Sequence, residues 1–183
     1  MSARTVPTPP SWGFQEQLTS AKLNQIQTWM LFWSNPPMFR MYQTIAQSVA
    51  DSTWTQITCD SVDDDTDSGR ATSTPWSYTI PPGMGGQWDF RGKTSWASNS
   101  TGYRAAAIYV NGTEVPTENI FAPGLAGGAT SFALALPRSV KVNAGDVVAL
   151  YGRQTSGAPL NTGVASAPDY SYLEGRLVSL ANP

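Results

Sequence analysis

The stretch Trp88-Asp89-Phe90-Arg91-Gly92-Lys93-Thr94-Ser95-Trp96 decides the fold. Large or small uncharged side chains at the even positions alternate with Asp89, Arg91, Lys93 and Ser95 at the odd ones. That period of two belongs to a strand with one dry and one wet face; a helix would repeat its apolar positions every three to four residues. Working outward, the same alternation predicts strands over Phe39 to Gln47, Trp54 to Cys59, Tyr103 to Val110, Phe132 to Leu136, Val147 to Gln154 and Tyr170 to Leu180, with a weaker one around Trp76 to Ile80. Asn111-Gly112 is a strong hairpin signal, because a type I′ turn needs positive φ at both central residues. About eight short antiparallel strands separated by Gly, Pro, Asn and Asp turns predict an all-β, two-sheet sandwich, and a jelly roll is a common arrangement of that number.

Composition agrees. The chain has 183 residues, enough for one core and an appendage, and 40% of them are hydrophobic. Only 13% are charged, about half the globular average. With a net charge of −2 and a pI of about 4.9 there is no basic field to capture nucleic acid. The longest apolar run, around Met30 to Trp33, is far short of the roughly 20 residues that span a bilayer, so no membrane partner is expected. No N-terminal signal peptide is legible, which places synthesis in a cytoplasm without export.

The first 37 residues read differently. Pro7, Pro9 and Pro10 fix φ and remove amide donors, predicting an extended arm. Thr19 is a candidate N-cap with Leu18 able to staple onto Leu23, and Leu23, Ile26, Met30 and Trp33 recur at helical spacing, which predicts a helix over about 20–33. Asn35-Pro36-Pro37 stops it. Because Trp29 to Trp33 is apolar nearly all round, this turn is expected to be buried, either as an ordinary helix packed on its own domain or as an anchor in another protein. The anchor reading, carried by Leu23, Ile26, Trp29, Met30 and Trp33, is favoured because the double proline separates the helix from the β-region. The expected organisation is therefore an arm and anchoring helix over 1–37 and a β-sandwich over 38–183.

Catalytic chemistry finds little to work with. There is no His in the chain, which removes Ser-His-Asp and Cys-His systems and the usual His-containing zinc sites. Cys59 at a strand end reads as a small core residue. A two-carboxylate glycosidase would have to draw on residues such as Glu114, Glu118 and Glu174, none of which lies in a motif. The expectation is a non-enzyme without cofactors. The acidic run Asp60 to Gly69 offers Asp63, Asp65 and Asp67 at alternate positions as weak calcium ligands, but counted from Asp63 the EF-hand glycine position holds Ser68 and the final glutamate position holds Thr74. A solvated acidic loop is the favoured reading.

Several of these motifs together carry a resemblance: Met41-Tyr42-Gln43-Thr44, Thr53-Trp54-Thr55, Asn99-Ser100-Thr101-Gly102-Tyr103-Arg104, Ile108-Tyr109-Val110-Asn111-Gly112-Thr113 and Val142-Asn143-Ala144-Gly145-Asp146-Val147-Val148. They resemble the β-domains of phage minor tail and head-decoration proteins, which are similar to the complement globular-head and tumour-necrosis-factor class of jelly rolls. The opening Val6-Pro7-Thr8-Pro9-Pro10-Ser11-Trp12, Leu18 to Asn24 and Asn35-Pro36-Pro37 resembles that of actinobacterial-phage virion proteins. The resemblance implies a homotrimer whose first and last strands neighbour each other near the threefold axis. Tyr42, Tyr170 and Tyr172 are the interface candidates, with ordinary cross-strand packing as the alternative. It also implies a structural role in a virion, attached through the N-terminal segment to tail or tail tip. Capsid decoration is the alternative, and binding of a host receptor or glycan a further one; apart from the resemblance, aromatics such as Trp76 and Tyr103 are able to stack on sugars, with buried packing as their favoured reading.

Overall fold

A computed structural model describes residues 4–74, 76–120, 122–125, 131–137, 139–163 and 170–181, with 117–120, 122–125 and 137 as backbone alone. One helix, α1 (Ser20–Ser34), precedes the strands. They are β1 (Met38–Tyr42), β2 (Ser48–Val49), β3 (Thr55–Gln56), β4 (Ser61–Asp65), β5 (Tyr78–Thr79), β6 (Gly86–Trp96), β7 (Asn99–Val110) and β8 (Thr113–Glu114). After them come β9 (Thr117–Ile120), β10 (Ala122–Leu125), β11 (Ser131–Pro137), β12 (Val140–Val142), β13 (Val147–Gln154), β14 (Leu160–Asn161) and β15 (Tyr172–Leu180).

The large sheet runs β4-β1-β15-β6-β11-β9, with β12 also on β6; the second runs β10-β7-β13-β3, with β5 on β13 and β8 on β7; β14 and β2 form a small ribbon. Every named pairing is antiparallel. The alternation read in β6 sorts its side chains as expected: Trp88, Phe90, Gly92 and Thr94 are buried while Asp89 and Arg91 are exposed. It ends at Ser95 and Trp96, which are both buried. Ser95 N–H donates to the Ser171 hydroxyl and the Trp96 indole donates to Thr94 Oγ1 at 2.9 Å, so both faces of the strand end are covered.

Between the sheets Phe39 stacks on Tyr78 at 3.7 Å and Trp88 on Phe90 at 5.9 Å. Gly175 of β15 lets these rings approach the strand, since a Cβ there would lie 2.5 Å from the Phe39 ring. Asn111 (φ 51) and Gly112 (φ 76) make the expected tight turn joining β7 to β8.

Three expectations need correction. The acidic run is not a loop: Ser61–Asp65 is a strand at the edge of the large sheet, hydrogen-bonded to β1. Charged edge strands are tolerated because their outer side faces water and their charges deter a further strand. The strand expected over Phe39 to Gln47 stops at Tyr42, where Thr44 turns to donate from its backbone N–H and its hydroxyl to the two Asp60 carboxylate oxygens at 2.7 and 2.9 Å. The helix is not separated from the sandwich either. Phe32 belongs to the buried core, Trp33 packs against it, and Pro36 and Pro37 are themselves buried.

Candidate functional site

Two surfaces concentrate the residues singled out in the sequence. The first is the N-terminal unit. Thr19 caps α1 as expected, its hydroxyl accepting from Lys22 N–H at 3.3 Å, whereas Leu18 and Leu23 are both exposed. The helix divides into two faces. Trp29, Phe32 and Trp33 form an aromatic cluster with ring centroids 5.4 to 6.5 Å apart, turned toward the chain's own sandwich. Val6, Pro7, Trp29, Trp33 and Leu180 line a groove of about 680 Å³ between arm, helix and the end of β15. The opposite face is Leu23 (51% exposed), Ile26, Met30 (64%) and Leu31 (61%), a stripe without a charged side chain. The five anchor candidates are therefore split: Leu23, Ile26 and Met30 share the outer stripe, and Trp29 and Trp33 line the inner groove. Leu31 was missed.

The arm is bolted down by a contact with no sequence signal, across 63 residues. Arg4 donates to Asp67 from its backbone N–H (3.1 Å), Nε (2.9 Å) and Nη2 (2.8 Å), and from Nη1 to the Asn35 carbonyl at 2.7 Å. Its guanidinium also lies 5.6 Å from the Phe32 ring centre. The Asp67 side chain is fully buried. Burial alone would raise its pKa, but hydrogen bonds from Arg4 and Thr66 outweigh that and hold the carboxyl below its ordinary value.

Asp67 was a calcium candidate, as were Asp65 and Asp63. Asp65 instead accepts the backbone N–H groups of Asp67, Gly69 and Arg70, closing the turn after β4. Asp63 pairs with Arg40 at 3.4 Å. The three carboxylates point to three different partners, and among the described residues no group of three His, Cys, Asp or Glu side chains is placed to hold a metal.

The second surface is the outward face of the large sheet. Register places Tyr42 opposite Tyr172, Tyr172 opposite Lys93 and Lys93 opposite Leu134, one row across four strands. Tyr170 joins at its end, with its ring 5.0 Å from Tyr42. The three tyrosine candidates are thus brought together. Cations sit between the rings: Arg40 is 4.8 Å and Lys93 5.4 Å from the Tyr172 ring, and Lys93 is 4.8 Å from Phe132. Burial first, and Glu174 second, raise the Tyr172 phenol pKa. Phe132 and Leu136 (each 37% exposed) extend the apolar surface. They were not named as interface residues, although the alternation in Phe132 to Leu136 carried the signal.

Beside this row lies a charged one. Asp64 is opposite Arg40, Arg40 opposite Glu174 and Glu174 opposite Arg91, so the sign alternates across four strands. These residues border a trough of about 540 Å³.

The remaining candidates gather nowhere. Cys59 is buried and its thiol is pushed up to about 12, by burial first and by Asp60 second, so it is not a nucleophile at neutral pH. Glu114 is exposed and Glu174 lies 3.9 Å from Arg40, while the Glu118 side chain falls outside the described atoms. Trp76 and Tyr103 are each faced by a guanidinium, Arg70 at 4.8 Å and Arg153 at 6.0 Å.

Comparison with known proteins rests on this architecture. No protein-family model and no curated protein matches the sequence. Among solved structures, the globular domain of zebrafish complement 1qA protein superposes with a TM-score of 0.54 at 12% identity, covering 79% of this chain and 99% of that one. The fold is a complement globular-head/TNF-like jelly roll. Eiger TNF from S. frugiperda (TM-score 0.51, 9% identity, 81% of this chain and 97% of that one) and murine APRIL (0.51, 10%, 78% and 98%) share it. At such identities the likeness concerns the jelly roll's path, and function has to be argued from the surfaces.

Proposed function

We propose that this jelly roll is a non-enzymatic assembly and attachment protein: three copies associate through the outward face of the large sheet, and the outer stripe of α1 fixes the trimer to another protein. The observation that carries the reading is the presence of two separate exposed apolar surfaces on one weakly charged chain, one on the sheet around Phe132, Leu136 and Tyr172, the other on the helix around Leu23, Met30 and Leu31. Contiguous exposed apolar surface in a folded chain marks a place where another surface belongs. Support for a threefold count comes from the complement globular-head/TNF-like architecture, and β1 and β15, which carry Tyr42 and Tyr172, are hydrogen-bonded neighbours.

The particle we assign is a phage virion, with the tail or tail tip as the place of attachment. Support for this comes from the N-terminal segment, whose resemblance to virion proteins covers the arm and helix that frame the outer stripe. The experiment is co-sedimentation of the full chain with purified tails and, separately, with capsids. Pelleting with tails and not capsids is expected, and Met30→Glu/Leu31→Glu should abolish it while leaving the fold unchanged. Pelleting with capsids alone would move the protein to decoration. Pelleting with neither, beside binding to host-envelope glycans, would replace the structural role by recognition.

A further inference from the structure

Charges on the outward face of the large sheet are arranged in a way its own chain leaves incomplete. In the row Asp64, Arg40, Glu174, Arg91, Arg40 is shared between Asp63 at 3.4 Å and Glu174 at 3.9 Å. Asp64 and Arg91, which end the row, have no such partner, and Arg176 lies in the next row, opposite Asp89. Among the described residues Arg91 and Arg176 have no carboxylate within 4.0 Å, and Asp64 has no cation within that distance. All three are exposed. Arg91 and Arg176 sit on β6 and β15 in the middle of the sheet together with Asp89 of β6, whose carboxylate accepts from the Ser139 hydroxyl, whereas Asp64 sits on the edge strand β4.

The row carries two acids and two bases, so a uniformly acidic or basic partner would set half of it against like charge. A second copy of this chain supplies both signs in equal number and at the same strand spacing. Beside the row lie Tyr172, Leu134 and Phe132 with Lys93 set against their rings, and apolar and aromatic contacts with a charged border are the usual anatomy of a protein interface. Because the acids opposite the two arginines are already engaged, Glu174 by Arg40 and Asp89 by Ser139, while Asp64 is unpaired at the edge among the described residues, the edge of one copy is matched to the middle of the next, a head-to-tail contact that can close into a ring.

We propose that Arg91 and Arg176 of one copy form ion pairs with Asp64 on the edge strand of the next, fixing the register of the contact between copies. This rests on the assembly reading above and adds the residues that align it. Tyrosine and leucine surfaces slide over one another at little cost, whereas a displaced guanidinium loses its carboxylate; charged pairs therefore select one register and disfavour wrong partners.

The test is a dilution series of the full-length chain with mass as the readout. Arg91→Glu/Arg176→Glu is expected to raise the half-dissociation concentration about 100-fold or more, and Asp64→Arg to do the same, since each places like charges in contact. The triple variant Asp64→Arg/Arg91→Glu/Arg176→Glu restores opposite signs and should return to within about tenfold of the native value, the recovery a direct pair coupling gives. Arg91→Gln/Arg176→Gln, which removes charge without repulsion and spares the fold should the reversal unfold it, should weaken assembly about tenfold. Native assembly unchanged in either double variant, or a triple variant no better than the reversed double, overturns the pairing. A native chain that stays monomeric at every concentration overturns the assembly reading itself, and the pairing with it.

Discussion

The outer stripe of α1 and the outward face of the large sheet both leave apolar side chains in water, yet they differ in one respect. The stripe of Leu23, Ile26, Met30 and Leu31 has no charged side chain within it, whereas the row of Tyr42, Tyr172, Lys93 and Leu134 on the sheet borders a charged one. An uncharged stripe can be buried in any complementary apolar groove, and nothing on it dictates a register. The sheet face specifies alignment and sign. The difference teaches that this chain separates two tasks: attachment, which asks for apolar area, and self-association, which asks for one geometry. It also teaches that the helix can do its part without leaving the sandwich, because its other face is already committed to Phe32 and Trp33.

Phe32→Ala would break that commitment with the largest effect. Truncating a buried aromatic costs about 3 to 5 kcal/mol, and since Phe32 lies in the same buried cluster as Phe39 and Trp88, chemical denaturation should show one cooperative transition moved as a whole. Two transitions, with the sandwich midpoint unmoved, would make the helix an independent appendage and return the anchor to all five residues expected from the sequence.

Arg4→Ala tests the bolt that joins arm to sandwich. Losing hydrogen bonds to a charged group costs about 1.5 to 3 kcal/mol. The pH dependence has a definite sign. The folded pKa of Asp67 lies below its ordinary value of 3.8, so the unfolded chain takes up its proton first as pH falls. The bolt's stabilisation is complete above that ordinary value and is lost as pH drops through the depressed folded pKa. The difference in unfolding free energy between native and Asp67→Asn proteins should therefore be constant from neutrality down to about pH 5 and shrink below pH 4. A difference that stays level to pH 2 would mean Asp67 titrates normally and the bolt is weak.

Smallest in stability and sharpest for the comparison is Met30→Glu/Leu31→Glu. Exposed substitutions usually change stability by about 0.5 kcal/mol or less. The variant should unfold at the native midpoint and keep the native mass. A drop in mass would show that the stripe, and not the sheet, joins the copies.

Much of the jelly roll was legible because its inner positions follow the pleat. Trp88 and Phe90 announce β6, and Asn111-Gly112 fixes a hairpin. What stayed hidden follows from edges and long range. Ser61–Asp65 has the composition of a loop and becomes a strand only because β1 offers it hydrogen bonds and Arg40 offers a counter-charge. Arg4 finds Asp67 through the fold, and no local pattern encodes a pairing between a proline-rich arm and an acidic turn. In α1, five consecutive apolar residues declare burial without saying on which side, since a helix turn that is apolar all round has no periodicity to orient it. The tyrosine candidates come from the resemblance to trimeric jelly rolls, whereas the alternating charges beside them depend on register, which a strand's own sequence does not contain.

The assignment of self-association to the sheet and attachment to the helix is tested most directly by the mass of the full-length protein in solution, measured by light scattering beside Phe132→Asp/Leu136→Asp and Met30→Glu/Leu31→Glu. The account predicts three times the 19.6 kDa chain mass for the native protein and for the helix variant, and a single chain for the sheet variant. A native monomer, or a sheet variant that keeps the native mass while the helix variant falls apart, would contradict it.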